Sequence, residues 1–481
     1  MGIDQSSNVQ PNMQKKIFLS HNACLNASYD LNVLTAGFAQ AGHVIVNRPE
    51  EADEIIFSGC SVRDVWVKDA VNQIDEMHRR APSAKITVTG CVANTSADSV
   101  SSMSTAKELR FRSHKEILTT HTGLDFDALD QATSQDSSLN YEGTYTGLAQ
   151  LRQRVGPEKA TAVALLQEVD REFNTDLERL YKRTTKGFIF YNEEEASVLI
   201  TVTRSCLYKC SFCNIPKGRG EFSSVPLDSI LDKARAAISR GIRHLILVGD
   251  EIGNYGVGSK ERVKFAELLT SLIELHPDLR LSIRYIEPKP FLKNAALLKE
   301  LSLQGRIELL YVSLQSGSQR VLTEMNRGYN IIKIADEYAS FRETADTIFY
   351  CNWMVGFPGE TEEDFAQTVT LMKRLDLHIN VAIPFSARPD TPAADMDQKI
   401  DDKTIKARVD LLTQAIADMK ASMFEEALHF LQESRRSSIL DHIRAGESIR
   451  YEDRQQRTIM LQQEAIKQGA RVDNALDNPL V

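Results

Sequence analysis

The stretch RSCLYKCSFC, residues 204–213, places three of the seven cysteines of this chain within eight positions. It directly follows SVLITV at 197–202, an apolar and β-branched run of the kind that forms a buried strand. Cys206, Cys210 and Cys213 are therefore predicted in a loop at the end of a strand. Thiolates suit soft metal centres, yet a tetrahedral centre needs four ligands and this segment offers three.

From this loop onward, strands and helices alternate through six units. The strand candidates are SVLITV, RHLILVG, LRLSIRY, IELLYVSL, TIFYCNWMV and HINVAIPF, and amphipathic helical segments separate them. Successive βα units with right-handed crossovers predict a parallel sheet that curls toward a barrel, and six units leave the barrel open on one side. Catalytic residues are then expected at the carboxyl ends of the strands.

The amino-terminal part shows the same alternation on a smaller scale, in the runs KKIFLS, HVIV, EIIFS and KITVT. Alternating strands and helices predict a second parallel sheet, in a doubly wound, Rossmann-like domain. The predicted fold class is α/β. Its segments are a disordered terminus over 1–15, the Rossmann-like domain over 16–95, a helical linker or insert over 96–190, an open (β/α)6 partial barrel over 191–400 and a helical extension over 401–481.

Composition narrows the class of protein. Among 481 residues, 42% are hydrophobic and 26% charged, as in ordinary globular proteins, and the net charge of −9 argues against a broad basic face. No apolar run reaches the roughly 18 residues of a membrane span, and the start lacks the apolar core of a signal peptide. We therefore expect a cytoplasmic protein with no membrane partner, whose cysteines are metal ligands or core residues rather than disulfides.

Two kinds of centre fit the first cysteine triplet. A structural zinc site is closed by four ligands, and here the fourth would have to come from a distant residue. A [4Fe–4S] cluster held by three thiolates keeps one iron open. The C-x3-C-x2-C spacing after the first strand of a partial barrel, with Phe212 before the last cysteine, resembles the radical S-adenosylmethionine (SAM) superfamily. The resemblance implies that the open iron chelates SAM and that Cys206, Cys210 and Cys213 are catalytic.

The other candidate ligands are Cys24, Cys60 and Cys91, each just after a predicted strand of the first domain. Strand ends of a doubly wound sheet share one edge, so these thiols are able to converge there, although buried cysteines are often only small core residues. The surrounding segments resemble the radical SAM methylthiotransferases. The matching segments are ADEIIFSGCSVR, KITVTGCVAN, KGRGEFSS, LVGDEIGNYG, SLQSGSQRVLTEMNRGY, VGFPGETEEDF and FSARPDTPAA.

That resemblance implies a second [4Fe–4S] cluster on Cys24, Cys60 and Cys91, and an active site shared by the two domains. It also implies a reaction in which one SAM donates a methyl group and a second yields a 5′-deoxyadenosyl radical, so that a methylthio group replaces hydrogen on an unactivated carbon. A one-electron donor such as flavodoxin or ferredoxin would reduce the clusters.

Further residues at the strand ends are candidates for binding SAM. Asp250 or Glu251 would accept hydrogen bonds from the SAM ammonium, though a helix-capping role is the alternative. Arg284 would hold a carboxylate, or would form an ordinary ion pair. The set of candidates is Phe212, Gly249, Asp250, Glu251, Arg284, Gln315 and Ser316.

The substrate stays open at this stage: a tRNA, a protein or peptide, or a small molecule. The chain departs from the family in having a helix-prone tail where a small β-barrel is usual, and in having Ala27 where the first cysteine motif usually has asparagine. Two alternatives remain. One is a radical SAM peptide maturase whose auxiliary cluster gives up no sulfur, and the other is a non-catalytic metal-binding protein.

Overall fold

The computed structural model describes residues 14–22, 25–132, 135–136, 197–259, 263–342, 347–377 and 379–433. Residues 1–13 of the predicted disordered terminus (1–15), residue Cys24, most of the 96–190 segment and the tail beyond 433 lie outside them. By compactness the chain divides into two units. The first contains residues up to 135 with 213–222 and 386–391, and the second contains 136–212, 223–385 and the remainder.

The first unit is built on a five-stranded sheet in which every described pairing is parallel. Its order is β2-β1-β3-β4-β5. The strands are β1 (Lys16–His21), β2 (Val44–Ile45), β3 (Glu54–Gly59), β4 (Lys85–Gly90) and β5 (Arg110–Phe111). The predicted Rossmann-like sheet is confirmed, and β5 adds an edge strand too short to be read from the sequence.

Helices cover this sheet because its strands are apolar on both faces. They are α1 (Leu25–Gln40), α2 (Asp64–Arg80), α3 (Cys91–Thr95), α4 (Ala97–Met103), α5 (His114–Thr122) and α6 (Phe126–Ala132). Ile55 and Phe57 join the core cluster that α2 supplies, whereas the buried Ile56 between them points to the opposite face. Helix α1 packs with α5 and α6, and α2 packs with α4.

The second unit contains a seven-stranded sheet, ordered β14-β13-β12-β11-β10-β7-β6. Its strands are β6 (Gln135–Asp136), β7 (Ser197–Thr201), β10 (His244–Val248), β11 (Arg280–Ile286), β12 (Ile307–Val312), β13 (Ile348–Val355) and β14 (Ile379–Pro384). A short antiparallel pair, β8 (Thr203–Arg204) and β9 (Ser223–Ser224), stands apart. All six predicted barrel strands are present, from β7 to β14, and their linear order matches an open barrel.

Helices connect successive strands, as the βα rhythm predicts. They are α7 (Ile215–Arg219), α8 (Leu227–Ser239), α9 (Phe265–Ile273), α10 (Pro288–Lys293), α11 (Ala295–Leu303), α12 (Gln319–Glu324), α13 (Ile331–Arg342), α14 (Glu362–Leu375) and α15 (Asp402–Glu433). By compactness α7 belongs to the first unit. Arg408 of α15 donates to the buried Glu360 carboxylate over 2.8 Å, which fastens α15 to the loop after β13. Within the described residues, no helix has the length and apolar character to cross a bilayer.

Candidate functional site

Two of the three predicted auxiliary cysteines stand side by side in the first unit. Gly59 and Gly90 are register partners at the ends of β3 and β4, so the next residues, Cys60 and Cys91, leave the sheet at one edge. Both glycines are required there: a Cβ on Gly90 would lie 2.8 Å from the carbonyl oxygen of Gly59, and one on Gly59 would lie 2.9 Å from Val92. Strand β1, which precedes Cys24, pairs directly with β3.

Asn22 fixes the loop that carries Cys60. Its side-chain oxygen accepts the N–H of Cys60 over 2.9 Å, and its amide nitrogen donates to the carbonyl of Trp66 over 2.8 Å. The same nitrogen also donates to Asp69 over 2.9 Å. Asn22 was not among the predicted site residues, and its place between β1 and Cys24 is the only signal that pointed to it.

Helix α7 packs beside Cys91. A Cβ on Gly218 would lie 3.2 Å from the Sγ of Cys91, and Asn94 donates to the Gly218 carbonyl over 2.8 Å. The next residue, Arg219, forms a buried ion pair with Asp30 of α1. Arg219, from the family-like segment KGRGEFSS, and Asp30 are far apart in sequence, and their ion pair fastens α7 to α1 within the first unit.

In the second unit, Asp250 and Glu251 shape the loops around the first cysteine triplet. The Asp250 carboxylate accepts the N–H of Ser205, whose φ is +65°, over 2.8 Å. The fully buried Glu251 accepts the N–H groups of Gly253 and Asn254 over 2.8 and 3.0 Å. Burial and the Glu287 carboxylate raise the pKa of Glu251 to about 7, against the effect of those N–H donors. Both candidate SAM ligands therefore hold loop backbone in place.

Gly249 and Phe212 act through packing. A Cβ on Gly249 would overlap the hydroxyl of Thr203, so only glycine fits beside the start of the triplet loop. Phe212 is buried directly before Cys213.

Arg327 lies against the triplet and was not predicted as a site residue. Its Nη1 donates to the Sγ of Cys210 over 3.5 Å and to Glu287 over 2.8 Å, and its Nη2 donates to the Ser313 carbonyl over 2.6 Å. Burial disfavours the charge, but Glu287 raises the pKa of Arg327 well above its usual value. A permanent positive charge thus sits beside a candidate ligand sulfur.

The turn before Arg327 clamps the same loop. Asn326 donates to the carbonyl of Lys209 over 2.7 Å, and the backbone N–H of Ser211 donates to the carbonyl of Met325 over 3.0 Å. The sequence did mark this turn as a candidate, because residues 325–329 read MNRGY, which is part of a family-like segment.

Gln315, Ser316 and Arg284 have distinct environments. Gln315 has a φ of +67°, and its buried side-chain oxygen has no hydrogen-bond partner among the described residues. Ser316 is turned to Thr368 of α14, with 3.2 Å between the hydroxyls. Arg284 is half-buried on β11. Burial raises the pKa of Tyr311 well above its usual value, and the charge of Arg284 offsets part of that increase.

The donor sets fit iron–sulfur clusters and SAM. Among the described residues, no disulfide joins Cys60, Cys91, Cys206, Cys210, Cys213 or Cys351. The Sγ atoms of Cys60, Cys206 and Cys213 each accept, over 3.4 Å, the amide N–H two residues later. Such N–H···S bonds stabilise thiolate ligands and tune cluster potentials.

The buried acceptors Gln315 Oε1 and Asn352 Oδ1, which lack a partner within the described part of the chain, suit donors such as the SAM ammonium and ribose hydroxyls. In that same part, no three His, Cys, Asp or Glu side chains are grouped to hold a single metal ion.

Two known families match the chain. The Radical SAM superfamily matches residues 200–372, and Uncharacterized protein family UPF0004 matches residues 16–111. The chain is 26% identical to the tRNA-2-methylthio-N(6)-dimethylallyladenosine synthase of a Nitratiruptor species, over 86% of each chain. It is 26% identical to the synthase of the same name from Wolinella succinogenes, over 82% of each.

Among solved structures, the chain is similar to a radical S-adenosylmethionine methyltransferase, TsrM, from Kitasatospora setae, bound to tryptophan and a SAM analog. The TM-score is 0.50 at 16% identity, covering 79% of this chain and 74% of that one. At this identity the likeness concerns the fold alone.

Proposed function

This chain belongs to the radical SAM methylthiotransferase family, and we propose that it transfers a methylthio group to an N6-modified adenosine of tRNA. Its cofactors are two [4Fe–4S] clusters and SAM. The substrate proposal rests on relatives that align with most of the chain and are named for this tRNA reaction. The observation that carries the reaction is the placement of Cys60 and Cys91 at adjoining strand ends of one sheet edge.

The two cysteine sets have separate proposed roles. Cys206, Cys210 and Cys213 would hold the cluster that binds SAM, and Cys60 and Cys91, with Cys24, would hold the auxiliary cluster. When bound, the clusters and SAM supply the electron, the radical and the sulfur that this chemistry needs.

The protein contributes positioning and charge. Arg327 places a buried cation beside Cys210. This cation would favour the reduced form of a cluster bound by Cys210, because the reduced form is the more negative one. Asp250 and Glu251 accept backbone N–H groups around the triplet loop and so fix its conformation. The residues proposed to bind SAM would therefore be held in defined positions. The unsatisfied oxygen of Gln315 is available for a SAM donor.

The experiment is an anaerobic incubation of the cluster-loaded protein with SAM, a reductant and tRNA that carries N6-dimethylallyladenosine. Nucleosides released by digestion are then analysed by mass spectrometry. The expected product has a methylthio group in place of one hydrogen on the modified adenosine. The same tRNA without the N6 modification and the Cys91→Ala variant serve as controls. Formation of 5′-deoxyadenosine with no methylthio product on any nucleoside would contradict the proposal.

A further inference from the structure

Two arginines lie near the amino-terminal end of α2 in the first unit. Arg63 stands three residues after Cys60 and directly before α2. The hydroxyl of Ser386 accepts the backbone N–H of Asp64 over 3.3 Å, which brings the segment 386–391 to the same helix end. Arg388 of that segment is close enough that its charge, after burial, lowers the pKa of Arg63.

These two cations have no anionic partner in the described part of the chain. Both side chains are half-buried. The Nε of Arg388 is buried and has no hydrogen-bond partner among the described residues. Holding two like charges together in a partly desolvated place is costly without a bound anion, and a buried unsatisfied donor adds to that cost.

The segment that carries Arg388 is anchored by its other residues. The carbonyl of Pro389 accepts from the Asn214 side chain over 3.0 Å, and Asp390 forms an ion pair with Lys217 of α7. Asp390 is thus engaged by a different cation and does not neutralise Arg388. The arginine pair is therefore a fixed feature of the first unit, and its charge is available to a ligand.

We infer that Arg63 and Arg388 bind a phosphate group of the RNA substrate next to Cys60. The inference rests on the proposed function, since it takes RNA as the substrate. The planar fork of arginine matches phosphate oxygens, and two such forks grip one phosphate from two sides. Backbone phosphates position a nucleic acid, while its bases supply specificity, so this contact would set the register of the strand beside the sulfur site.

Val62 and Val65 flank the pair and are 41% and 40% exposed. Apolar side chains beside two arginines suit a ribose or base next to the gripped phosphate. With a net charge of −9, the chain as a whole has no general electrostatic attraction for RNA. Loss of a local phosphate contact should therefore cause a measurable loss of RNA affinity.

The test measures binding of an anticodon stem-loop RNA to the cluster-loaded protein by fluorescence anisotropy over a range of salt concentrations. Arg63→Gln and Arg388→Gln are each expected to weaken binding about tenfold. They are also expected to reduce the slope of log Kd against log salt by about one. Arg79→Gln is the matched control, because Arg79 lies at the other end of α2 and is bound to Glu76 on the surface.

Iron content of each variant, measured in parallel, shows whether the sites around Cys60 remain intact. A variant with wild-type iron and weakened RNA binding supports the phosphate site. If both variants keep wild-type affinity and salt slope while the protein still methylthiolates RNA, the phosphate site is wrong and the proposed function stands. If the wild-type protein neither binds nor modifies RNA, the proposed function itself fails.

A second measurement identifies the anion. Phenylglyoxal labels accessible arginines, and mass spectrometry quantifies the label at Arg63, Arg388 and Arg79. Inorganic phosphate and the RNA are each expected to protect Arg63 and Arg388 and to leave Arg79 labelled. Protection by a glutamate-rich peptide alone would overturn the inference and would favour a peptide substrate.

Discussion

The Nη1 atom of Arg327 donates to the Sγ atom of Cys210 over 3.5 Å, across 117 positions of sequence. The same arginine is paired with the buried Glu287. A cation held next to a ligand sulfur stabilises negative charge there, and a second, anionic partner keeps the arginine in place. Arg327 thus links the electrostatics of the first cysteine motif to the turn after α12.

Replacing Arg327 is expected to have two separable effects. Arg327→Gln leaves Glu287 buried without its partner, so we expect a loss of about 3–5 kcal/mol in the free energy of unfolding. Loss of the cation should also lower the reduction potential of the cluster on the triplet, because its reduced form is the more negative one. Denaturant titration and a spectroscopic redox titration measure these two quantities.

The Arg327→Gln/Glu287→Gln double variant separates the effects. It removes the stranded carboxylate and should recover a large part of the stability, whereas the potential should rise only part of the way to the wild-type value, because the contact of Arg327 with the Cys210 sulfur is still missing. A double variant with wild-type potential would contradict the proposed influence of Arg327 on the cluster.

Iron content distinguishes the proposed ligand cysteines Cys60 and Cys91 from Cys351. We expect Cys60→Ala and Cys91→Ala each to lower the iron of the reconstituted protein by about half, since each removes a thiolate from one of two clusters. Cys351 is the matched control: it is buried on β13, and burial raises the pKa of its thiol to about 12. Cys351→Ala should keep the full iron content, and equal losses in all three variants would refute the assignment.

Two glycines of one segment test the packing of α7 on Cys91. Gly218→Ala places a methyl group 3.2 Å from the Cys91 sulfur and should reduce auxiliary iron with little loss of stability. Gly220→Ala meets nothing within 4 Å, but its φ of +81° and ψ of −154° lie in a region nearly restricted to glycine, so it should cost about 1–3 kcal/mol of stability and leave the iron unchanged. Iron analysis and thermal unfolding measure the two effects, and the reverse pattern would show that Cys91 is not in contact with α7 in solution.

Acid stability of the first unit depends on Glu54. Burial would raise the pKa of this carboxyl, but His121, at 2.9 Å, and Lys15, at 3.1 Å, lower it to about 2. A folded-state pKa below the unfolded value of 4.5 stabilises the fold above pH 4.5, and this contribution is lost as the pH falls toward 2. Glu54→Gln should therefore cost about 3 kcal/mol at neutral pH and flatten the acid limb.

Urea unfolding of the cluster-free protein, followed by the fluorescence of Trp66 in the first unit, measures this dependence on pH. The exposed Glu76→Gln variant is the control and should retain the wild-type acid limb. An unchanged acid limb in Glu54→Gln would refute the role assigned to the buried carboxylate.

Local sequence patterns were sufficient for the sheets. The apolar runs from SVLITV to HINVAIPF form strands, as predicted. They alternate with amphipathic helices, and right-handed crossovers between such units produce a parallel sheet with its strands in sequential order. The two-residue strands at 110–111 and 135–136 were missed, because two residues carry no periodicity and pair only once a neighbouring strand is in place.

Side-chain partnerships were harder to predict than strands. Asp250 was predicted to contact SAM, and the structure shows it accepting the N–H of Ser205, a contact that depends on the positive φ of that residue. Arg327 lies in the family-like segment MNRGY and Asn22 lies beside Cys24, but their partners are distant in sequence, so the local pattern does not show which loops they contact. The roles of the predicted ligands at Cys60, Cys91 and the triplet remain predictions.

Helix α7 joins two sulfur-bearing positions. At its first residue, Ile215, an N–H reaches the Sγ of Cys213, and near its last turn Gly218 rests on Cys91. A one-residue insertion between these points would rotate the glycine by about 100° and bring a side chain against that thiol. We therefore expect the length of this connector to matter for both contacts, and relatives with the same chemistry should tolerate substitutions here far better than insertions or deletions.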